Sequence, residues 1–128
     1  MVTPTPIIDG ARANGQWNTA WDEFAAFDAE WTEKFLDMAT LPMRKGVIDA
    51  KTYELIAIAV DASCTHMHAP GTRRHIAKAL DVGATPEEIM AVLELVAVLG
   101  IHSVALGAPM LVEEMKKRGM EVPAMPKE

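Results

Sequence analysis

The stretch "KTYELIAIAVDAS" constrains this chain more than any other. Every residue from Leu55 to Val60 is apolar, so a helix here is apolar on all sides and must be buried on most of them. A chain of 128 residues forms one domain with one core, so that burial requires several neighbouring helices or a second copy of the chain. Glu54 stands at the edge of the run, and Asp61 follows seven residues later on the same face. No segment of the chain shows the two-residue alternation of a half-buried strand, and the fold class is therefore all-α.

The rest of the chain divides around this helix. Residues 1–18 hold Pro4, Pro6, Gly10 and Gly15 and read as an irregular N-terminal arm, which Ile7, Ile8 and Trp17 can pin to a neighbouring subunit. From Thr19 onward Trp21, Phe24, Trp31, Phe35 and Met38 recur at helical spacing between acidic residues, predicting one amphipathic helix that ends at Pro42. Asp49 is the expected N-cap of the apolar helix. Pro70 and Gly71 are expected to break the chain, with Thr72 capping a third helix that runs to Gly83. Thr85, Pro86 and Glu88 spell a capping box for a fourth, which Gly100 ends or loosens. A last helix carries Pro109, expected to kink it near Ala105, and closes on Lys116, Lys117 and Arg118 at the negative end of its dipole. The domain plan is thus an arm over 1–18, a helical domain over 19–119 and a tail over 120–128.

Composition excludes several classes. The formal net charge of -6 is wrong for a phosphate-binding face, so no nucleic-acid partner is expected. The N-terminal residues lack the basic-then-apolar order of a signal peptide, and no uninterrupted apolar run reaches the roughly 18 residues of a membrane span, so no membrane partner is expected. A single cysteine permits no internal disulfide and fits a reducing cytoplasm.

The chemistry-bearing residues concentrate in "SCTHMHAPGTRRHIAKAL", which holds Cys64, His66, His68, His75, Arg73 and Arg74. Three readings compete. Cys64, His66 and His68 are good zinc ligands by type, but their spacing matches no established site. Redox cycling by a dithiol is excluded because Cys64 has no second cysteine to resolve it. In an acid–base reading, Glu54 would orient His75, while Arg73 or Arg74 would offer a fork to a substrate carboxylate.

The segments "KTYELIAIAV" and "RRHIAKALDVGATPEEIMAVLELVAVLGIHSVALGAPML" resemble the carboxymuconolactone decarboxylase family, which includes the alkylhydroperoxidase AhpD-like proteins. The resemblance runs from about Glu30 to Gly119. It implies an AhpD-like helical fold, subunits packed as a trimer or hexamer, and pockets among the helices. It also implies functional roles for Glu54 and His75, which match the glutamate and histidine of the family pattern. The peroxidase branch carries cysteines seven and four residues before that histidine; here those positions are His68 and Gly71, so the chain is not expected to be a dithiol peroxidase. The loop is about two residues longer than in the decarboxylase branch, and His102 is a further departure.

The expectation is therefore a decarboxylase-type carbon–carbon lyase acting on a small anionic oxo- or lactone-type acid without a cofactor. His75 and Glu54 would be catalytic, and Arg73, Arg74, His68, His66 and His102 would line the substrate pocket. The alternatives are a metal-assisted enzyme using Cys64, His66 and His68, and a non-catalytic small-molecule-binding module on the same scaffold.

Overall fold

The computed structural model describes residues 2–124, which are helical with no strand among them. They fall into two compact units, one ending at Ala50 and one beginning at Lys51.

The first unit contains α1 (Pro6–Ala13), a 3₁₀ turn (Thr19–Trp21), α2 (Asp22–Phe27) and α3 (Ala29–Arg44). The arm expected to be irregular holds a two-turn helix. A helix of this length is unstable alone, and α1 borrows its stability. Pro6 presets the first turn, and the Glu33 carboxylate on α3 accepts the free N–H groups of Ile7 and Ile8 at 2.7 and 3.0 Å. Ile8 is buried, and the Trp17 indole donates to Asp22 at 2.7 Å, so both residues are engaged within this unit.

The single helix predicted from Thr19 is in fact interrupted. Asp28 leaves helical geometry at φ -148, and its side chain accepts from the N–H of Trp31 at 2.8 Å, making it the N-cap of α3. Pro42 does not end α3, which runs on to Arg44. A proline so near a C-terminus removes one backbone bond and leaves the others intact: Lys45 N–H still reaches the carbonyl of Leu41 at 3.0 Å. Trp31 and Phe35 stack at 5.6 Å, and Trp21 and Phe24 meet them edge-on.

In the second unit α4 (Ala50–Asp61) is followed by α5 (Ala69–Asp81), α6 (Pro86–Ala97) and α7 (Ile101–Lys117). Ile58 of α4, Ala79 of α5, Ala84 in the turn after α5 and Ile89 of α6 form the core, with Leu55, Ile76, Val92 and Leu93 around it. Helix α5 begins three residues before Thr72: Pro70 occupies its first turn rather than breaking it. Its far end closes on Gly83 at φ +95, where the N–H of Ala84 returns to the carbonyl of Ala79 at 2.9 Å. The capping box of α6 is complete, with Thr85 and Glu88 exchanging bonds of 3.1 Å.

Gly100 loosens the helix, as expected, without breaking the run. Val98–Gly100 is a 3₁₀ turn whose residues keep helical dihedrals, and α7 runs through Pro109 as a single element. Pro86–Lys117 is therefore one helical run, and its best 18-residue window has a mean hydropathy of 2.2, enough by length and composition to cross a bilayer. Only 6% of that window is buried, and Leu95, Ile101, Val104 and Leu106 are all well exposed. The sequence reading underrated this run because His102, Ser103 and Pro109 interrupt it without charging it. The tail expected over 120–128 is non-helical as far as Ala124, and its last four residues lie outside the described residues.

Candidate active site

Glu54 and Asp61 lie two turns apart on α4 and flank one imidazole. His75 of α5 places Nδ1 2.6 Å from Glu54 Oε2 and Nε2 3.7 Å from Asp61 Oδ2. The first contact is a short hydrogen bond and the second is an ion-pair approach, slightly too long for a hydrogen bond. Glu54 is buried and His75 nearly so, with side-chain exposures of 9% and 17%. The carboxylate can only accept, so Nδ1 carries the proton in the neutral ring and Nε2 is the nitrogen left for chemistry.

Asp61 continues the contacts outward. Its other oxygen, Oδ1, lies 3.5 Å from Nε2 of His66, and His66 stacks on His68 at 5.2 Å. The main chain holds this turn. The Asp61 carbonyl accepts from the N–H of His68 at 2.7 Å, and Met67 adopts a left-handed φ of 47 to close the loop. Gly71 completes the fit. A Cβ there would lie 1.9 Å from Asp61 Oδ2 and 2.6 Å from Cδ2 of His68, so the start of α5 approaches Asp61 only because the residue has no side chain. Position 71 is one of the two where the peroxidase branch carries a cysteine, and here even a methyl group has no room.

His75 and Asp61 line a cavity of about 250 Å³ together with Tyr53, Ile56, Ala57 and Val60. Burial, and then the charge of Glu54, push the Tyr53 phenol above its ordinary value, so it stays a protonated hydrogen-bond donor. The sequence reading passed over Tyr53, although a lone phenol beside the glutamate of a helix rich in alanine and isoleucine was a visible signal.

The remaining expected pocket residues do not converge on this cavity. Arg73 lines a separate cavity of about 600 Å³ with Ala62, Met67, Ala69, Thr72, Ile76 and Leu93. Arg74 is half-buried and lines neither cavity. His66 and His68 reach the site only through Asp61, and His102 is exposed on α7, outside this series of contacts. The Cys64 thiol is exposed and lies 4.0 Å from the carbonyl of Val96, so Cys64, His66 and His68 do not form a ligand set. Among the described residues no group of three or more His, Cys, Asp or Glu side chains is arranged to hold a metal ion.

Residues 29–108 match the Carboxymuconolactone decarboxylase family. Among solved structures, a protein of Burkholderia xenovorans assigned as a gamma-carboxymuconolactone decarboxylase subunit is similar, with a TM-score of 0.83 and 38% sequence identity. The likeness covers 98% of this chain and 52% of the other, so the chain spans about half the length of that protein. No curated protein matches the chain.

Proposed function

The chain belongs to the carboxymuconolactone decarboxylase family, and on that premise we propose that it is a decarboxylase-type lyase working by general acid/base catalysis at His75. The observation that carries this reading is the 2.6 Å bond from Glu54 to His75, an imidazole that lines a cavity of about 250 Å³. Loss of CO₂ leaves an electron pair on carbon, which needs a proton. Glu54 fixes the ring with Nδ1 inward, so Nε2 faces the cavity and its proton is the one delivered.

The substrate is a small anionic oxo- or lactone-type acid. Asp61 beside Nε2 destabilises the carboxylate on the reacting carbon and so favours its loss as neutral CO₂, while any further anionic group of the substrate is held elsewhere. Arg73, in the neighbouring cavity on the same helix, is the group to receive it, with Arg74 as the other candidate. The Tyr53 hydroxyl offers a donor to an oxygen that gains charge as the carbon–carbon bond breaks.

The protein works as a cytoplasmic homo-oligomer, a trimer or hexamer. The exposed apolar length of α6 and α7 supports this, because a lone chain leaves Leu95, Leu99, Val104 and Leu106 in water.

The test is direct. The purified protein is given gamma-carboxymuconolactone and related oxo and lactone acids, and released CO₂ is followed. Turnover should fall by about 10²-fold or more in His75→Ala. Turnover that survives both His75→Ala and Glu54→Gln unchanged refutes the acid–base assignment.

A further inference from the structure

We propose that Asp61 and His66 form the path by which the proton spent by His75 is replaced from solvent. This inference rests on the acid–base reading of His75. The geometry behind it is specific: Nδ1 of His75 is committed to Glu54, so a new proton must arrive at Nε2. Among the described residues, the charged group facing Nε2 is Asp61, at 3.7 Å. That gap is too narrow for a water molecule in line, which would need oxygen-to-nitrogen spacing of about 5.5 Å, twice a normal hydrogen bond. Cavity water can meet Nε2 only when substrate or product is not in the way, so the path that stays in place throughout turnover runs through Asp61 itself. Asp61 touches a second imidazole on its other oxygen, His66 Nε2 at 3.5 Å, and the His66 side chain is 52% exposed while that of Asp61 is 16% exposed. The series Glu54, His75, Asp61, His66 thus runs from the buried face of α4 to water.

The proton balance closes without a co-reactant. The Nε2–H bond breaks as His75 gives its proton to the carbon that has lost CO₂. His66, as imidazolium charged from water, gives a proton to Asp61 Oδ1. The carboxyl turns about its Cβ–Cγ bond, a soft torsion for aspartate, and delivers the same proton to Nε2. His75 is restored, Asp61 is again a carboxylate, and His66 is neutral until water recharges it. Both contacts lie less than 1 Å beyond hydrogen-bond distance, so the turn that moves the proton also closes each gap in succession. Gly71 leaves the space for that turn: its missing Cβ would overlap Asp61 Oδ2. Asp61 also sits at the last position of α4, where a negative charge opposes the helix dipole. A polar neutral residue would be the cheaper choice there unless the charge had a use.

The test needs no substrate. In ¹⁵N-labelled protein with His75 protonated, the exchange of its Nε2 proton with water is measured by NMR for wild type, Asp61→Asn and His66→Gln. A relay predicts exchange at least about tenfold slower in both variants, and recovery in His66→Gln when free imidazole is added as a mobile proton carrier. A purely structural role predicts the opposite sign, because loosening the site exposes the ring and speeds exchange. His66 lies at the surface, so its variant tests the path even if Asp61→Asn unfolds. Unchanged or faster exchange in His66→Gln overturns the relay. The two proposals fail separately: normal exchange in His66→Gln with turnover lost in His75→Ala sinks only the relay, and slowed exchange with no turnover of any lactone or oxo acid sinks only the assigned reaction.

Discussion

Gly71→Ala should change the sign of its effect on stability according to whether Asp61 is present. A glycine inside a helix costs up to about 1 kcal/mol relative to alanine, so replacing it would ordinarily stabilise α5. Here the new Cβ would stand 1.9 Å from Asp61 Oδ2 and 2.8 Å from its Cγ. Asp61 cannot simply swing away, because its backbone is pinned by His68 N–H and its carboxylate lies between two imidazoles. Overpacking of this kind costs about 1–3 kcal/mol. The net expectation in the wild-type background is a loss of about 0–2 kcal/mol, taking the overpacking cost less the helix gain. In an Asp61→Ala background the closest obstacle is gone, and Gly71→Ala should stabilise by up to about 1 kcal/mol. The remaining close atom, Cδ2 of His68 at 2.6 Å, belongs to a ring stacked on the exposed His66 and is free to shift. Urea unfolding of the four proteins at one fixed concentration gives the cycle. A coupling of about 1–3 kcal/mol supports the packing argument; additivity within about 0.5 kcal/mol refutes it, since that is the behaviour of residues that do not touch.

Three further outcomes follow from other parts of the molecule. Tyr53 is the single tyrosine of the chain, so tyrosinate absorbance reads it alone. Its ionisation should fall above the ordinary value of 10.0 and move down in Glu54→Gln; because the folded value is raised, the stability it contributes is present below the ordinary value and is lost as pH rises through the folded one. Asp28→Ala should cost about 1 kcal/mol in thermal or urea unfolding by removing the N-cap of α3, and Asp28→Asn should cost much less. Leu106→Glu, at an exposed apolar position of α7, should reduce the mass seen by light scattering to a smaller assembly; a wild-type protein already monomeric at micromolar concentration would refute the self-association on which this rests.

The helical class was legible because periodicity is a local property. The spacing of Trp21, Phe24, Trp31 and Phe35, and the capping box at Thr85, needed no knowledge of the rest of the chain. What escaped was set by contacts distant in sequence. Helix α1 exists through a carboxylate on α3 that lies 25 residues or more away, so two prolines and two glycines were a misleading guide. The break at Asp28 was readable in principle, since aspartate is a favoured N-cap, but the apolar pattern on either side runs through it without losing phase. Gly100 was a sounder guide: it was expected to end or loosen the helix, and the 3₁₀ turn over Val98–Gly100 is that loosening.

The site divides along the same line, and the start of α5 is where it turns. Beginning that helix at Thr72 leaves Pro70 and Gly71 in a loop, and nothing then ties them to Asp61. Beginning it at Ala69 puts Gly71 inside the first turn, against Asp61, and makes the missing Cβ a packing requirement. The same helix also separates two residues that sequence adjacency had joined. At 100° per residue, Arg73 and His75 point about 200° apart, and residues two apart on a helix do not face each other. The two cavities they line express that angle. A substrate that uses both residues must therefore reach around α5, with its reacting carbon against Nε2 of His75 and its anionic end on the opposite side. The carboxylate that leaves is bonded to the reacting carbon and so shares the His75 cavity with Asp61. The like charge there destabilises it relative to neutral CO₂ and favours its departure, and the opposite side of α5 is left for a second anionic group of the substrate.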